Sequence, residues 1–407
     1  MEGIPEFKLD KWIQQHGPQA KIPLHSSNVG SHSLTYLQSL SPETSSSEAI
    51  IDFDMPLAHA PARGSLVLRE RIAAMYSPEE SGGSSSVGPE NVLTMPGSVM
   101  ANFLGLGGIA KRGEHVVVQY PAFSQLYDVL RFNGVEVSFW RATKGEEDGE
   151  WVWDVGVLEG LVRDGETRAV VINNPNNPTG AVLDRAVLEG IARVADRYGM
   201  VVYSDEVFRP LFHSDDEKPP SMLEIPRQKG GVTVVTGSTS KAIGLPGIRV
   251  GWIVSNDLAF LERVMVVRDY TTTSVSVVDE AIAAFALQDS VYKKLLEGSL
   301  GVCKRSLEVL EEFVGEHAGL VEWVKPKGAG TAFLRVRDGK DGGWVDDKEF
   351  AGRLLEKTGV SIVPGGYCFG EPDGRDEALK GYFRVSLGVE EKVLREGLGL
   401  LSQFLKA

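Results

Sequence analysis

At 407 residues with 42% hydrophobic content and a formal net charge of -14, the chain can bury a large core and divide into a large and a small domain, while its acidic balance and lack of any Lys/Arg cluster exclude the basic face that nucleic acid requires. Cys303 and Cys368 lie far apart without a C-x-x-C pattern, so neither a disulfide framework nor a zinc site is expected, no metal is read into the chain, and a reduced, cytoplasmic setting fits. Met1 to Lys8 lacks an apolar stretch and no long apolar run occurs elsewhere, which sets secretion and membrane spanning aside.

In chain order, Leu9 to His16 reads as a short helix, followed by Ile22-Pro23-Leu24 and the polar stretch His25-Ser26-Ser27-Asn28-Val29-Gly30. Ser41 to Glu48 reads as a loop, Leu66 to Tyr76 carries apolar residues at helical spacing, and Ser77 to Glu90 is a second Gly/Ser-rich connection. Val92 to Met95 reads as a strand that turns through Pro96-Gly97-Ser98 into an apolar helix ending near Ala110. A Gly-Ser turn opening a helix is a seat for phosphate, because unpaired amides and the helix dipole both favour an anion.

From there strands and helices alternate. Strand-like His115 to Gln119, Val135 to Trp140, Arg168 to Ile172 and Met200 to Tyr203 are separated by helix-like Phe123 to Phe132, Val155 to Val162 and Arg185 to Tyr198. Such alternation predicts an α/β fold with a mostly parallel sheet covered on both faces, and chemistry in the loops at the carboxyl ends of its strands. The last hundred or so residues, with longer helices around 291–314 and 347–357 and strands near 332–336, 360–363 and 383–386, have an α+β composition. Residues 51–290 are therefore expected to form the large domain and 291–407 the small one, with 1–50 joining the small domain.

Three strand-end loops carry the chemistry. Asn173-Asn174-Pro175-Asn176-Asn177-Pro178-Thr179-Gly180 holds two Asn-Pro steps, which favour an extended backbone with an amide aimed into the cleft. Ser204-Asp205-Glu206-Val207-Phe208 puts a carboxylate at a buried strand end, where it needs a cationic partner. In Ser238-Thr239-Ser240-Lys241-Ala242-Ile243-Gly244-Leu245-Pro246-Gly247-Ile248-Arg249, a lysine sits on a tight loop between two strand-like segments. A lysine that loses hydration deprotonates more readily, and the free amine condenses to a Schiff base. Ser238, Ser240 and Arg249 around it suit a phosphate.

With these motifs, the sequence resembles pyridoxal-phosphate enzymes of the class I/II aminotransferase family, of the type I fold, over nearly its whole length. The resemblance implies an enzyme that binds pyridoxal 5'-phosphate on Lys241 as a Schiff base, with Asp205 paired to the pyridine nitrogen and Asn177 on the ring hydroxyl. It implies that Ser238 and Arg249, with Gly97 and Ser98, hold the phosphate and that Phe123 stacks on the ring. Arg384 is similar to the family arginine that clamps the substrate α-carboxylate, with Asn177 and Asn28 also at the substrate. A homodimer acting on an amino acid is implied as well.

Asp10-Lys11-Trp12, Gln19-Ala20-Lys21, Ser26-Ser27-Asn28 and Arg268-Asp269-Tyr270-Thr271-Thr272 resemble the capreomycidine-synthase branch of the family, which turns the same chemistry to elimination and ring closure. Phe208 stands where most of the family has a tyrosine on the ring hydroxyl, and His59 where a tyrosine usually reaches across the dimer. The expected activity is transamination of an α-amino acid after Cα deprotonation, with elimination or cyclisation as the alternative. A regulator that keeps the fold only to sense the cofactor would carry a basic helix-turn-helix extension, and the N-terminal region is neither basic nor long enough for one.

Overall fold

A computed structural model describes residues 5–41, 50–76, 87–145, 149–214, 218–228, 230–339, 342–371 and 376–406. The loops read at 41–48 and 77–90 therefore lie mostly outside the described residues. Seven strands form the principal sheet: β1 (Val92–Met95), β2 (His115–Tyr120), β3 (Glu136–Arg141), β4 (Thr167–Asn173), β5 (Val201–Asp205), β6 (Thr233–Ser238) and β7 (Gly251–Ser255). Their spatial order is β1-β7-β6-β5-β4-β2-β3. The run from β6 to β3 is parallel, and β7 is antiparallel to both its neighbours.

The β-branched runs explain why these segments are strands buried on both faces. Val116 and Val118 of β2 join one apolar core with Ala169, Val171 and Tyr203, whereas Val117 joins another with Val170, Ile172 and Val202. Alternate side chains thus enter opposite layers. The register sets Asn173 opposite Asp205 and Asp205 opposite Thr236, so the carboxyl ends of β4, β5 and β6 open at one edge.

A second, antiparallel sheet runs β8 (Val321–Trp323), β9 (Thr331–Val336), β11 (Tyr382–Ser386) and β10 (Val363–Pro364), which places Arg384 on an inner strand between Phe333 and Val363. The helix Asp289–Glu316 sends Val291 and Leu295 into the core under the large sheet and Cys303, Leu307 and Leu310 into the core of the small one. The amino-terminal segment lies against the small sheet. Helix α1 (Lys8–His16) buries Leu9 and Trp12, the Trp12 indole donates to Ile362 O at 3.0 Å, and Ile22–Pro23 pairs parallel with Val360–Ser361. Among the described residues no helix is long and apolar enough to cross a membrane.

The helix α2 (Gly97–Gly107) starts where β7 begins. A Cβ added at Gly251 would lie 2.4 Å from Gly97 C and 2.5 Å from Ser98 N, both backbone atoms that cannot rotate away. Gly251→Ala should therefore destabilise the protein by more than about 1 kcal/mol. Gly247→Ala, with nothing within 4 Å of its added Cβ, should leave stability unchanged. Equal urea midpoints for the two variants would contradict this packing.

Candidate active site

The shared edge of β4, β5 and β6 opens onto a cavity of about 380 Å³, closed on its other sides by Phe7, Asp10 and Ile13 at α1, by residues 25–28, and by Arg384 of β11. Asn177, Asp205, Lys241 and Arg384, distant in sequence, all line it, together with Ser98, Phe123 and Asn28. Gly97, Ser238 and Arg249, expected at the phosphate, are not among the residues that line it.

Asp205 is 2% exposed. One carboxylate oxygen accepts from Asn102 Nδ2 at 2.9 Å and the other from Val207 N at 3.0 Å. Asn102, on the inner face of α2, is fixed in turn because its Oδ1 accepts from Thr236 Oγ1 at 2.9 Å and Tyr203 OH at 3.1 Å, leaving its amide nitrogen to donate. Burial raises the Asp205 pKa against these hydrogen bonds and the more distant Lys241 charge. No cation touches the carboxylate among the described residues, so a protonated ring nitrogen would complete it.

Lys241 follows β6 and keeps part of its surface open to the cavity. Its amine donates to Ser27 Oγ at 2.6 Å and lies 5.9 Å from the centre of the buried Phe208 ring. Burial first, then the Arg384 charge, lower its pKa to about 8, and Asp10 and Asp205 oppose the shift. The loop therefore presents an amine that is half uncharged near pH 8, well below the ordinary lysine range.

Arg384 is 1% exposed. Its Nη1 donates to Asn177 Oδ1 at 3.1 Å and its Nη2 to His25 O at 2.8 Å, while Nε has no partner. Burial lowers its pKa to about 10. A guanidinium held by two neutral oxygens, with one donor unused, is suited to a ligand carboxylate. The asparagine loop that carries Asn177 is not the extended segment expected from its Asn-Pro steps. Both Asn174-Pro175 and Asn177-Pro178 are cis, and the chain turns because Asn173 Oδ1 accepts from Asn177 N and Asn176 Oδ1 from Thr179 N and Oγ1. Such asparagine side-chain bonds to nearby amides favour turns. With its oxygen on Arg384, Asn177 has its amide nitrogen available to the cavity.

Gly97 has φ +78, and a Cβ there would come within 2.4 Å of Arg249 Nη2. The amino end of α2 and the Arg249 guanidinium therefore meet at the edge of the cavity, as an anion seat requires. Ser238 Oγ lies 2.8 Å from Ser240 Oγ and 3.0 Å from Val250 O, and Arg249 Nη1 is 3.4 Å from Ser240 Oγ. Phe123 meets Phe7 edge to face at 5.2 Å. Asn28 has both ends of its side chain engaged within its own loop, by Ser26 Oγ and Gly30 O. His59 is exposed and lies outside the cavity.

Sequence reasoning gave no role to three residues of this site. Asn102 could have been suspected as a lone amide within the apolar run Val99 to Leu106. Ser27 carries no such signal, since its contact spans 214 positions. Asp10 lines the cavity without a hydrogen bond or ion pair among the described residues; burial raises its pKa and the Lys241 and Arg384 charges lower it.

A desolvated lysine, a buried carboxylate without a cation, an arginine with a free donor and a glycine-opened helix end fit pyridoxal phosphate and an amino acid, and define a lysine-centred cofactor enzyme on an α/β scaffold. The chain belongs to the aminotransferase class I and II family, whose model matches residues 42–401, and it is a pyridoxal-phosphate-dependent enzyme. It is similar to capreomycidine synthase of Streptomyces vinaceus, 29% identical over 99% of this chain and 95% of that one. A pyridoxal-phosphate-dependent aminotransferase from Streptococcus suis superposes with a TM-score of 0.84 at 30% identity, covering 100% of this chain and 98% of the other. A pyridoxal-phosphate-dependent cyclase superposes at 0.82 with 27% identity, covering 99% and 97%.

With the amine titrating at about 8, capture of pyridoxal phosphate by the apoprotein should quicken as pH rises through that value and level off above it, because the uncharged amine is the nucleophile. Growth of yellow absorbance measures the rate. A rate that keeps climbing about tenfold per pH unit up to about pH 10, with no levelling above about 8, would show that Lys241 is not depressed from its ordinary range.

Proposed function

We propose that the enzyme transaminates an α-amino acid, with Lys241 bonded to the cofactor at rest, Asp205 facing the ring nitrogen, Asn177 the ring oxygen, Phe123 the ring face, and Gly97, Ser98, Ser238 and Arg249 the phosphate. The observation that carries this reading is the meeting of Lys241, Asp205, Asn177 and Arg384 in one cavity, where Asp205 and Arg384 have no charged partner among the described residues although their burial calls for one.

Pyridoxal phosphate supplies an aldehyde for the substrate amine and a ring that accepts the electron pair left at Cα. Arg384 fixes the α-carboxylate and so orients the substrate against the lysine. The amine of Lys241, once free, takes the Cα proton. Asp205 keeps the ring nitrogen protonated, a role that the Asn102 amide steadies by fixing one carboxylate oxygen. Transamination would further ask Lys241 to return that proton on the cofactor side and the cavity to admit the water whose oxygen the keto acid gains.

Elimination or cyclisation is the second reading. The similarity to capreomycidine synthase over nearly the whole chain and to a solved cyclase favours it, as does Phe208, which brings a bare ring where a phenol would donate. The two readings separate on whether an acceptor is needed. If the enzyme transaminates, an amino acid alone should bleach the yellow holoenzyme and stall until 2-oxoglutarate or another keto acid is added. Continuous turnover without an acceptor, giving a product that has lost water or another leaving group, would replace transamination by elimination or cyclisation. The screen should span neutral, acidic and cationic side chains, because Asp10 presents an unpaired carboxylate to the cavity.

We also propose a homodimer. Leu57, Leu66 and Val67 are exposed beside the equally exposed Val266, Val267 and Tyr270, and Arg268 donating to Ala62 O ties the two segments together. An apolar surface of this kind suits a second copy. If His59 serves the neighbouring site, mixing Lys241→Ala protein with an inactive His59→Ala protein should restore part of the activity. A fully active monomer in sedimentation at assay concentration would refute the dimer.

A further inference from the structure

The segment between residues 24 and 32 touches both halves of the site. Ser386 N donates to Leu24 O at 2.9 Å, Arg384 Nη2 to His25 O at 2.8 Å, and Gly30 N to Gly388 O at 3.1 Å, which fixes the segment to the small sheet. Val29 N donates to Lys241 O at 3.2 Å and His32 N to Gly244 O at 3.0 Å, which fixes it to the lysine loop. Ser27 lies between these anchors and is buried, with its hydroxyl 2.6 Å from the Lys241 amine. That oxygen is the amine's hydrogen-bond partner, and among the described residues no second one occurs; the nearest other contact is the Phe208 ring.

An amine displaced from a cofactor by the incoming substrate must stay within reach of Cα with its lone pair aimed there. Lysine has four rotatable bonds and disperses unless something holds it. Phe208 offers no hydrogen bond. We propose that Ser27 is the positioning residue of Lys241: its hydroxyl holds the amine beside the substrate Cα whenever the amine is not bonded to the cofactor, and receives it again, as ammonium, after it has taken the proton. No bond to Ser27 forms or breaks beyond the hydrogen bond. The assignment rests on the reading of Lys241 as the Cα base.

The test is exchange of the Cα hydrogen. Holoenzyme is incubated in deuterium oxide with a mixture of the common L-amino acids, and mass spectrometry reads deuterium at Cα. Ser27→Ala should slow exchange by about ten- to a hundredfold, the loss expected of a misaimed group, with KM within about twofold of wild type. Ser27→Thr, which keeps the hydroxyl, should stay near the wild-type rate, and the nearly isosteric Ser27→Cys, a guard against misfolding, should be slow. A second measurement uses no loaded enzyme. Asp10 of α1, Asp205 of β5, Arg384 of β11 and Arg249 face the amine by charge and are unchanged in Ser27→Ala. Because a neutral oxygen accepts more strongly from an ammonium than from an amine, its loss should move the half-rise of cofactor capture to lower pH.

Exchange in Ser27→Ala within about twofold of wild type, or in Ser27→Thr as slow as in Ser27→Ala, overturns the proposal. Wild-type holoenzyme that exchanges no amino acid overturns the base assignment and the proposal with it. Wild-type exchange with an indifferent Ser27 overturns the proposal alone.

Discussion

Arg384 lies on an inner strand of the small sheet, almost wholly out of water, with a neutral amide oxygen and a carbonyl oxygen as its hydrogen-bond partners and no carboxylate paired to it among the described residues. Burying a cation in that way costs several kcal/mol unless an anion repays it. The same burial shapes the rest of the cavity. Its charge is the largest lowering influence after desolvation on the Lys241 amine, which lies at about 8 with Arg249 lowering it further and Asp10 and Asp205 opposing. The readiness of the arginine for a carboxylate and the readiness of the lysine for an aldehyde are thus one electrostatic arrangement.

That arrangement has a direction. A carboxylate settling on Arg384 would offset that part of the depression of Lys241, while the larger part, from burial, would remain. Asp205 balances the other end. Its pKa is raised by burial although Asn102 and Val207 N hydrogen-bond to it, and a protonated ring nitrogen would draw it back to a firm carboxylate. The protein by itself holds charges whose partners arrive with the ligands.

How much of this the sequence carried follows from the range of the contacts. The parallel sheet was legible because valine-rich runs alternate with helical spacing, as in Val116 to Val118 against Arg185 to Tyr198. Asn177, Asp205 and Lys241 were legible because each closes a strand at the same edge, a consequence of topology. The turn at Asn174 to Gly180 was misread as extended, because the Asn173 and Asn176 side chains capture amides three and four residues on. Ser27 and Asp10 gave no local signal, since both are meaningful only against partners more than 200 positions away. Asn102 lay in an apolar helix whose pattern said only that the face is buried.

The amino-terminal segment gains its meaning from the same geometry. It is anchored by backbone to the small sheet at Ser386 and Gly388, and to the lysine loop at Lys241 and Gly244. Its His25 carbonyl holds the arginine, its Ser27 hydroxyl holds the lysine, and helix α1 before it supplies Asp10 to the cavity. A displacement of this segment would therefore change the carboxylate clamp and the base together. Phe208 makes that dependence sharper, since a buried phenyl ring beside Lys241 gives the amine no hydrogen-bond partner of its own. The site is for this reason a property of the contact between the two sheets, and the segment that joins them is as much a part of it as the strand-end loops.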